Sequence, residues 1–264
     1  MRQNRDYLLQ SVKNAMQILH LFSMDEPELG VTQIASRIGL SKSSAHRLIS
    51  TLVKQGYLEK NKKNNRYRLG LSLLGLTGVI MNHMEIHRES LPFLQDLVAQ
   101  LGETVHINVL EGNDVVYLHK VECKQPVRLL SDIGKRNPAY CSSAGKVILA
   151  YQSKELIDSF LQSELLPHGP NTITDPEKLH ENLMDIKRKG YSIAIDELHE
   201  GVVSIAVPVR DYTEEVIAAI SVVGPKQRMP AHKFPNYIQI LHTAGQKLSR
   251  QLGFIEPVKL KNNP

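Results

Sequence analysis

Apolar positions recur at helical spacing through the first third of the chain. Val12, Ala15, Leu19 and Phe22 share one side of a helix predicted over 11–22. A polar loop follows at 25–30. Ile34, Ala35 and Ile38 then mark a short helix that Thr32 can cap, and Gly39 supplies the backbone freedom a helix end needs. Ser41 is a good N-cap for the next helix, whose stripe is Ala45, Leu48, Ile49, Leu52 and Val53, with Gly56 ending it. Two short strands are predicted at 57–60 and 66–69 around the tip 61–65, where three asparagines tolerate left-handed backbone.

Residues 69–81 are apolar on nearly every side, which predicts a linker helix packing on its own domain and on a second subunit, although periodicity alone fits an ordinary core helix equally well. A helix over 90–101 turns Phe93, Leu94, Leu97, Val98 and Leu101 inward, with Pro92 in its first turn. At Gly102 the period changes to two. Strands are predicted at 104–111 and 115–122 around Gly112, Asn113 and Asp114, and a shorter one at 127–130. A loop (134–143), two short helices (144–151, 154–161), a loop (167–174) and a helix to 189, capped by Thr174 or Asp175 with Pro176 near its first position, come next. Strands at 191–195, 202–209 and 216–223 and a helix at 234–252 complete the pattern, while 256–264 has no period and reads as a disordered tail. The fold class is α+β, with a mostly antiparallel six-stranded sheet in the second domain.

Charge sharpens this division. Residues 1–69 hold twelve Lys/Arg against five Asp/Glu, and the remainder twenty against twenty-two, so the excess of +5 lies entirely in the first segment. A polyanion suits that segment and not the rest. On the third helix, Lys42, Ser43, Ser44 and Arg47 lie opposite the apolar stripe, with His46 beside them, while Lys62, Lys63, Arg66 and Arg68 project from the hairpin. Together these describe a winged helix-turn-helix whose recognition helix, 41–54, enters a major groove while the wing holds phosphates. Boundaries follow at 1–69 for this head, 70–84 for the linker helix, 85–256 for the second domain and 257–264 for the tail. Two cysteines, Cys123 and Cys141, make no disulfide framework. The amino terminus lacks the apolar core of a signal peptide, and the run 73–81 is too short to span a bilayer, so a soluble cytoplasmic protein is expected.

The second domain reads as a sensor. Residues 137–146 are rich in small hydroxyls and run into a helix start, where free N–H groups can meet an anion and small side chains admit a ligand. Ordinary capping by Ser142 or Ser143 explains the same residues equally well. Ser204 and Ala206 share one face of a strand and Ser221 lies on the next, each polar atom needing a backbone or ligand partner. Catalytic signatures are lacking. No serine sits in a Gly-x-Ser-x-Gly elbow, and no dinucleotide fingerprint is present. Gly145-Lys146 fails as a phosphate loop because Val147 replaces the hydroxyl residue and Tyr140 the first glycine. A metal at His106, His119 and Cys141 lacks a close-spaced ligand pair, so no cofactor is expected. An RNA binder would need more stacking aromatics than Tyr57 and Tyr67. An enzyme with an accessory nucleic-acid-binding domain is the competing class.

The order of these pieces resembles the IclR-type transcriptional regulators over nearly the whole chain. The likeness rests on the winged motif, on Ser142-Ser143-Ala144-Gly145-Lys146 and its apolar continuation to Ala150, on Asp196-Glu197-Leu198 followed by Gly201-Val202, and on the strands 203–209 and 218–225. The resemblance implies a GAF-like effector domain and a homodimer or homotetramer on double-stranded DNA at a palindromic operator. It also implies control, repression of a catabolic operon included, by a small-molecule effector such as a carboxylate or aromatic acid. In such proteins the pocket is lined by the positions that here are Ser142, Ser143, Ala144, Gly145, Asp196, Ser204, Ala206 and Ser221. Some relatives carry cysteine where this chain has Ser204.

Overall fold

The computed structural model describes residues 9–23, 25–125 and 132–255. The strand expected at 127–130 and the tail at 256–264 lie outside them. The chain forms two compact units, Met1–His83 and Met84–Pro264.

The first unit contains α1 (Gln10–His20), α2 (Val31–Arg37), α3 (Lys42–Lys54), the strands β1 (Leu58–Lys60) and β2 (Tyr67–Leu69), and α4 (Ser72–His83). Its core joins Ile18, Leu29, Ile34, Ala45, Ile49, Leu58 and Tyr67. The expected cap of α2 is displaced. The helix already starts at Val31, so Thr32 lies inside it, and the Gly30 N–H donates instead to Gln33 Oε1 at 3.0 Å. Ser41 caps α3 as its sequence suggests, its Oγ accepting from the Ser44 N–H at 3.2 Å. Of the stripe expected on α1, Ala15, Leu19 and Phe22 pack against this core, while Val12 is half exposed; Asn14 and Ile18, which the stripe left out, are the buried residues of the helix.

β1 and β2 pair antiparallel, Leu58 opposite Leu69 and Lys60 opposite Tyr67, and Leu29 adds a bridge to Tyr67. Asn65, at the base of the tip, adopts φ +58, the left-handed geometry expected of this asparagine-rich turn. Where α3 ends, Gly56 has φ +75, and Gly70 approaches it so closely that a Cβ on Gly70 would lie 2.1 Å from the Gly56 carbonyl oxygen. Ser72, at the start of α4, donates its N–H to that oxygen at 3.3 Å and its Oγ to Gln55 O at 3.4 Å. Along α4, Leu74, Leu76, Val79 and Ile80 are all more than half exposed.

The second unit contains α5 (Glu85–Leu101), β3 (Thr104–Glu111), β4 (Asp114–Val121), β5 (Arg136–Pro138), α6 (Ser143–Leu149), α7 (Lys154–Leu161), α8 (Pro176–Lys189), β6 (Ser192–Ile195), β7 (Val202–Arg210), β8 (Val216–Pro225) and α9 (Phe234–Gln251). Six strands form one sheet in the order β5-β4-β3-β8-β7-β6, every neighbouring pair antiparallel. The period-two alternation of β7 sends Ala206 into the cluster built on α6 and α8, and Val207 toward Gly245 of α9. Helices therefore cover both faces of the central strands.

Two elements depart from the sequence reading. α5 begins at Glu85, so Pro92 stands mid-helix rather than in the first turn. The buried Ile86 and Ser90 anchor the extra turn, and its packing outweighs the hydrogen bond that proline removes. The edge strand β5 falls inside the expected loop 134–143, held by its pairing of Val115 with Asn137 and Val116 with Arg136.

Candidate nucleic-acid interface and effector pocket

On the recognition helix, Lys42, Ser43, Ser44, His46 and Arg47 are all exposed, opposite the buried Ala45, Ile49 and Leu52. Their hydrogen bonding separates them. The hydroxyls of Ser43 and Ser44 gather on Ser41 Oγ, each at 3.0 Å. His46 Nδ1 lies 3.5 Å from Ser50 Oγ, so its ring leans along the helix. Lys42 and Arg47 have no side-chain partner among the described residues. Arg47 presents a planar guanidinium with all its donors open, the geometry that reads guanine.

The wing is braced by a residue that the pattern did not single out. The Glu28 carboxylate accepts from Asn61 Nδ2 at 2.9 Å and Asn64 Nδ2 at 2.7 Å, and its carbonyl accepts from Arg66 Nη1 at 3.3 Å. The two amide hydrogen bonds hold its carboxyl below the usual range. Lys62 and Lys63 extend from the braced tip and are exposed, while Arg66 is tied back toward Glu28. Arg68 pairs with Glu59 at 3.0 Å, so its charge is already answered.

In the second unit, a cavity of about 40 Å³ opens between the start of α6 and the strands β6, β7 and β8. Of the positions named from sequence, Ser142, Ser143, Ala144, Ser204 and Ser221 line it. Three others serve the walls. Gly145 permits α6 to press on the preceding turn, since a Cβ there would lie 2.2 Å from Ala139 O. Ala206 is buried in the α6 cluster. Asp196 adopts φ +57 and closes the β6–β7 turn, accepting from the Gly201 N–H at 2.7 Å and pairing with Lys226, which holds its carboxyl low.

The neighbouring acid, Glu197, faces the cavity instead. Beneath it Lys146 Nζ donates to both carboxylate oxygens at 2.7 Å, with side-chain exposures of 1% and 9%. Burial pushes the Lys146 amine down and the Glu197 carboxyl up, each toward its neutral form, and each charge is sustained by the other. Cys141, also on the cavity wall, is pushed up to about 12 by burial, with Glu197 adding to the shift, so it is a thiol and no nucleophile at neutral pH. His199 is shifted down by burial and lines the cavity as a neutral imidazole.

Ser142 Oγ caps α6 by accepting from the Gly145 N–H at 3.0 Å. Ser143 is different: it is 1% exposed and its hydroxyl has no hydrogen-bond partner among the described residues. Ser221 accepts from Asn108 Nδ2 at 2.8 Å. The pocket thus offers one unspent buried hydroxyl on a wall whose charges are paired. The three residues considered for a metal do not converge. His119 stands opposite Ile107, whose side chain alternates with that of His106, so the two imidazoles face opposite sides of the sheet. Burial holds His106 at about 3, with the Lys120 charge contributing. Among the described residues no group of three or more His, Cys, Asp or Glu could hold a metal ion. Nor is any helix among them long and apolar enough to cross a membrane.

Two family profiles match, the IclR helix-turn-helix domain over residues 11–62 and the bacterial transcriptional regulator IclR C-terminal domain over 79–250. The chain belongs to the IclR family. It is 34% identical to the HTH-type transcriptional regulator XynR of Escherichia coli K12, over 94% of this chain and 98% of that one. Among solved IclR structures, a Microbacterium hydrocarbonoxydans homolog complexed with 4-hydroxybenzoate superposes with a TM-score of 0.81 at 29% identity, covering 92% of this chain and 99% of that one. The Thermotoga maritima IclR gives 0.77 at 28%, covering 93% and 99%. As an IclR protein the chain is a DNA-binding transcriptional regulator and not an enzyme.

Proposed function

We propose that this regulator represses a catabolic operon as a homodimer or homotetramer in the cytoplasm, and that a small carboxylate or aromatic acid bound beside Ser143 releases it from a palindromic operator. The observation that carries the pocket assignment is the Ser143 hydroxyl, buried on the wall of a cavity without a partner among the described residues. The complex of the Microbacterium homolog with 4-hydroxybenzoate supports an acid as ligand. The cavity has room for about three waters. A two- or three-carbon acid enters it directly, whereas an aromatic acid must first part α6 from the β6–β7 turn. Lys42 and Arg47 read bases, Ser43, Ser44 and His46 stand at the groove edge, and Lys62, Lys63 and Arg66 hold phosphates.

Residues 1–69 then form the head, 70–84 the connecting helix and 85–256 the effector domain. The bare leucines of α4 support a second copy, since a surface so apolar calls for cover. Twofold symmetry would place two recognition helices on two half-sites. Ligand alters DNA affinity only through unequal binding to two arrangements of the heads. The test is a footprint on the protein's own upstream region, with and without short-chain and aromatic acids, for the native protein and Ser143→Val. Protection that an acid relieves in the native protein only is the expected result. An unchanged response in Ser143→Val would move the ligand elsewhere.

A further inference from the structure

The effector domain has a second cleft, of about 260 Å³, that differs in character from the first. β6 pairs with β7 only from Val203 to Ala206, so the edge of β7 beyond Ala206 is uncovered on that side. Tyr151, Gly190, Arg210, His242 and Gln246 surround the opening. A bulge at Val209/Arg210 breaks the strand register just where the arginine leaves it.

Arg210 lies beside two aromatic rings and is tied to the backbone. Its guanidinium carbon lies 4.7 Å from the Tyr151 ring centroid and 5.8 Å from that of Phe254. One Nη1 donor goes to the Glu214 carbonyl oxygen. Lys187 Nζ lies 6.0 Å from the same Tyr151 ring. Neither cation has a carboxylate partner among the described residues. The nearest acid on α8, Asp185, is taken by Arg188 and Lys189, and Asp211 accepts from Thr213. Gly190 has φ +77, and a Cβ there would stand 3.7 Å from His242 Nε2, which places the imidazole against that wall. Two like charges beside one ring repel each other, and the guanidinium, set beside two aromatic rings, keeps in-plane donors to offer.

We propose that this cleft binds a small oxyanion, a carboxylate or phosphate group, on the free edge of Arg210, with His242 and Gln246 completing the contacts and the Lys187 charge adding to the field from outside the lining. It is a site separate from the Ser143 cavity and does not rest on the effector assignment. An arginine placed against aromatic rings and backbone suits planar or tetrahedral oxyanions, because less side-chain freedom is lost on binding.

The test is calorimetric titration of the full chain with inorganic phosphate and, separately, malonate, at an ionic strength fixed with chloride. Saturable binding of at least one probe is expected. It should weaken about tenfold or more in Arg210→Gln, the loss expected for charge-assisted hydrogen bonds, and measurably in Lys187→Gln. A preference for phosphate would point to phosphorylated metabolites, and a preference for malonate to carboxylic acids. Lys187 is exposed, so its variant keeps the test decisive if Arg210→Gln does not fold. No saturable binding in the millimolar range, or equal binding by native protein and variants, would overturn the proposal.

Discussion

Removing either member of the Lys146–Glu197 pair leaves a charge stranded in the effector domain. Glu197→Gln strips the ammonium of the two 2.7 Å contacts that sustain it at 1% exposure. A broken buried pair of this kind costs about 3–5 kcal/mol. For a unit of this size that is a fall in melting temperature on the order of 10 °C. The losses should depend on pH with opposite slopes. Without Glu197 the amine, already shifted down by burial, falls further, so the unfolded chain binds more protons and stability recovers as pH rises toward about 10. In Lys146→Met the stranded carboxyl is shifted up by burial, the folded state holds the extra proton, and stability recovers as pH falls toward about 4. The double variant Lys146→Met/Glu197→Leu removes both charges and should lie within about 1 kcal/mol of the native protein or above it. Scanning calorimetry from pH 5 to 9 reads all three. Single losses below about 1 kcal/mol that simply add in the double variant would refute the pairing and its burial.

Three further outcomes follow from the geometry. Arg47→Ala should lower specific DNA affinity by about 1–3 kcal/mol and flatten preference at one base position in a competition shift assay, and a uniform loss over all sequences would mean that Arg47 touches backbone only. Gly145→Ala puts a Cβ 2.2 Å from a backbone oxygen, so it should destabilise the effector domain by about 1–3 kcal/mol in denaturant unfolding, and a neutral result would show that α6 can slide. Glu28→Ala frees both wing-tip amides and should weaken DNA binding with little change in melting temperature; native affinity in that variant would show that the tip needs no brace.

Much of the fold was legible because its signals are local. Ser41, the stripe from Ala45 to Val53 and Gly56 delimit α3 without help from the rest of the chain. Alternation does the same for β3, β7 and β8. What escaped depends on distant partners. β5 is three residues long and exists because β4 offers it an edge. Pro92 suggested a helix start, yet the start was set by Ile86 and Ser90 packing inward. Asp196 and Glu197 are adjacent and equally acidic, and only the left-handed backbone at Asp196 decides which of them faces the cavity. One clue to Glu197 did exist. Lys146 stands alone in an apolar helix, and a lysine so placed requires an acid somewhere, though no spacing rule reaches across the 51 residues to it.

The contact between Gly56 and Gly70 has a mechanical meaning. With no side-chain cushion between the exit of α3 and the entrance of α4, and with Ser72 hydrogen-bonded across the joint, there is no slack to take up a rotation. Torque applied to the far end of α4 must reorient the groove-reading surface in step, like a key turned by its shank. The point of compliance in this regulator therefore has to lie beyond that joint, toward the carboxyl end of α4.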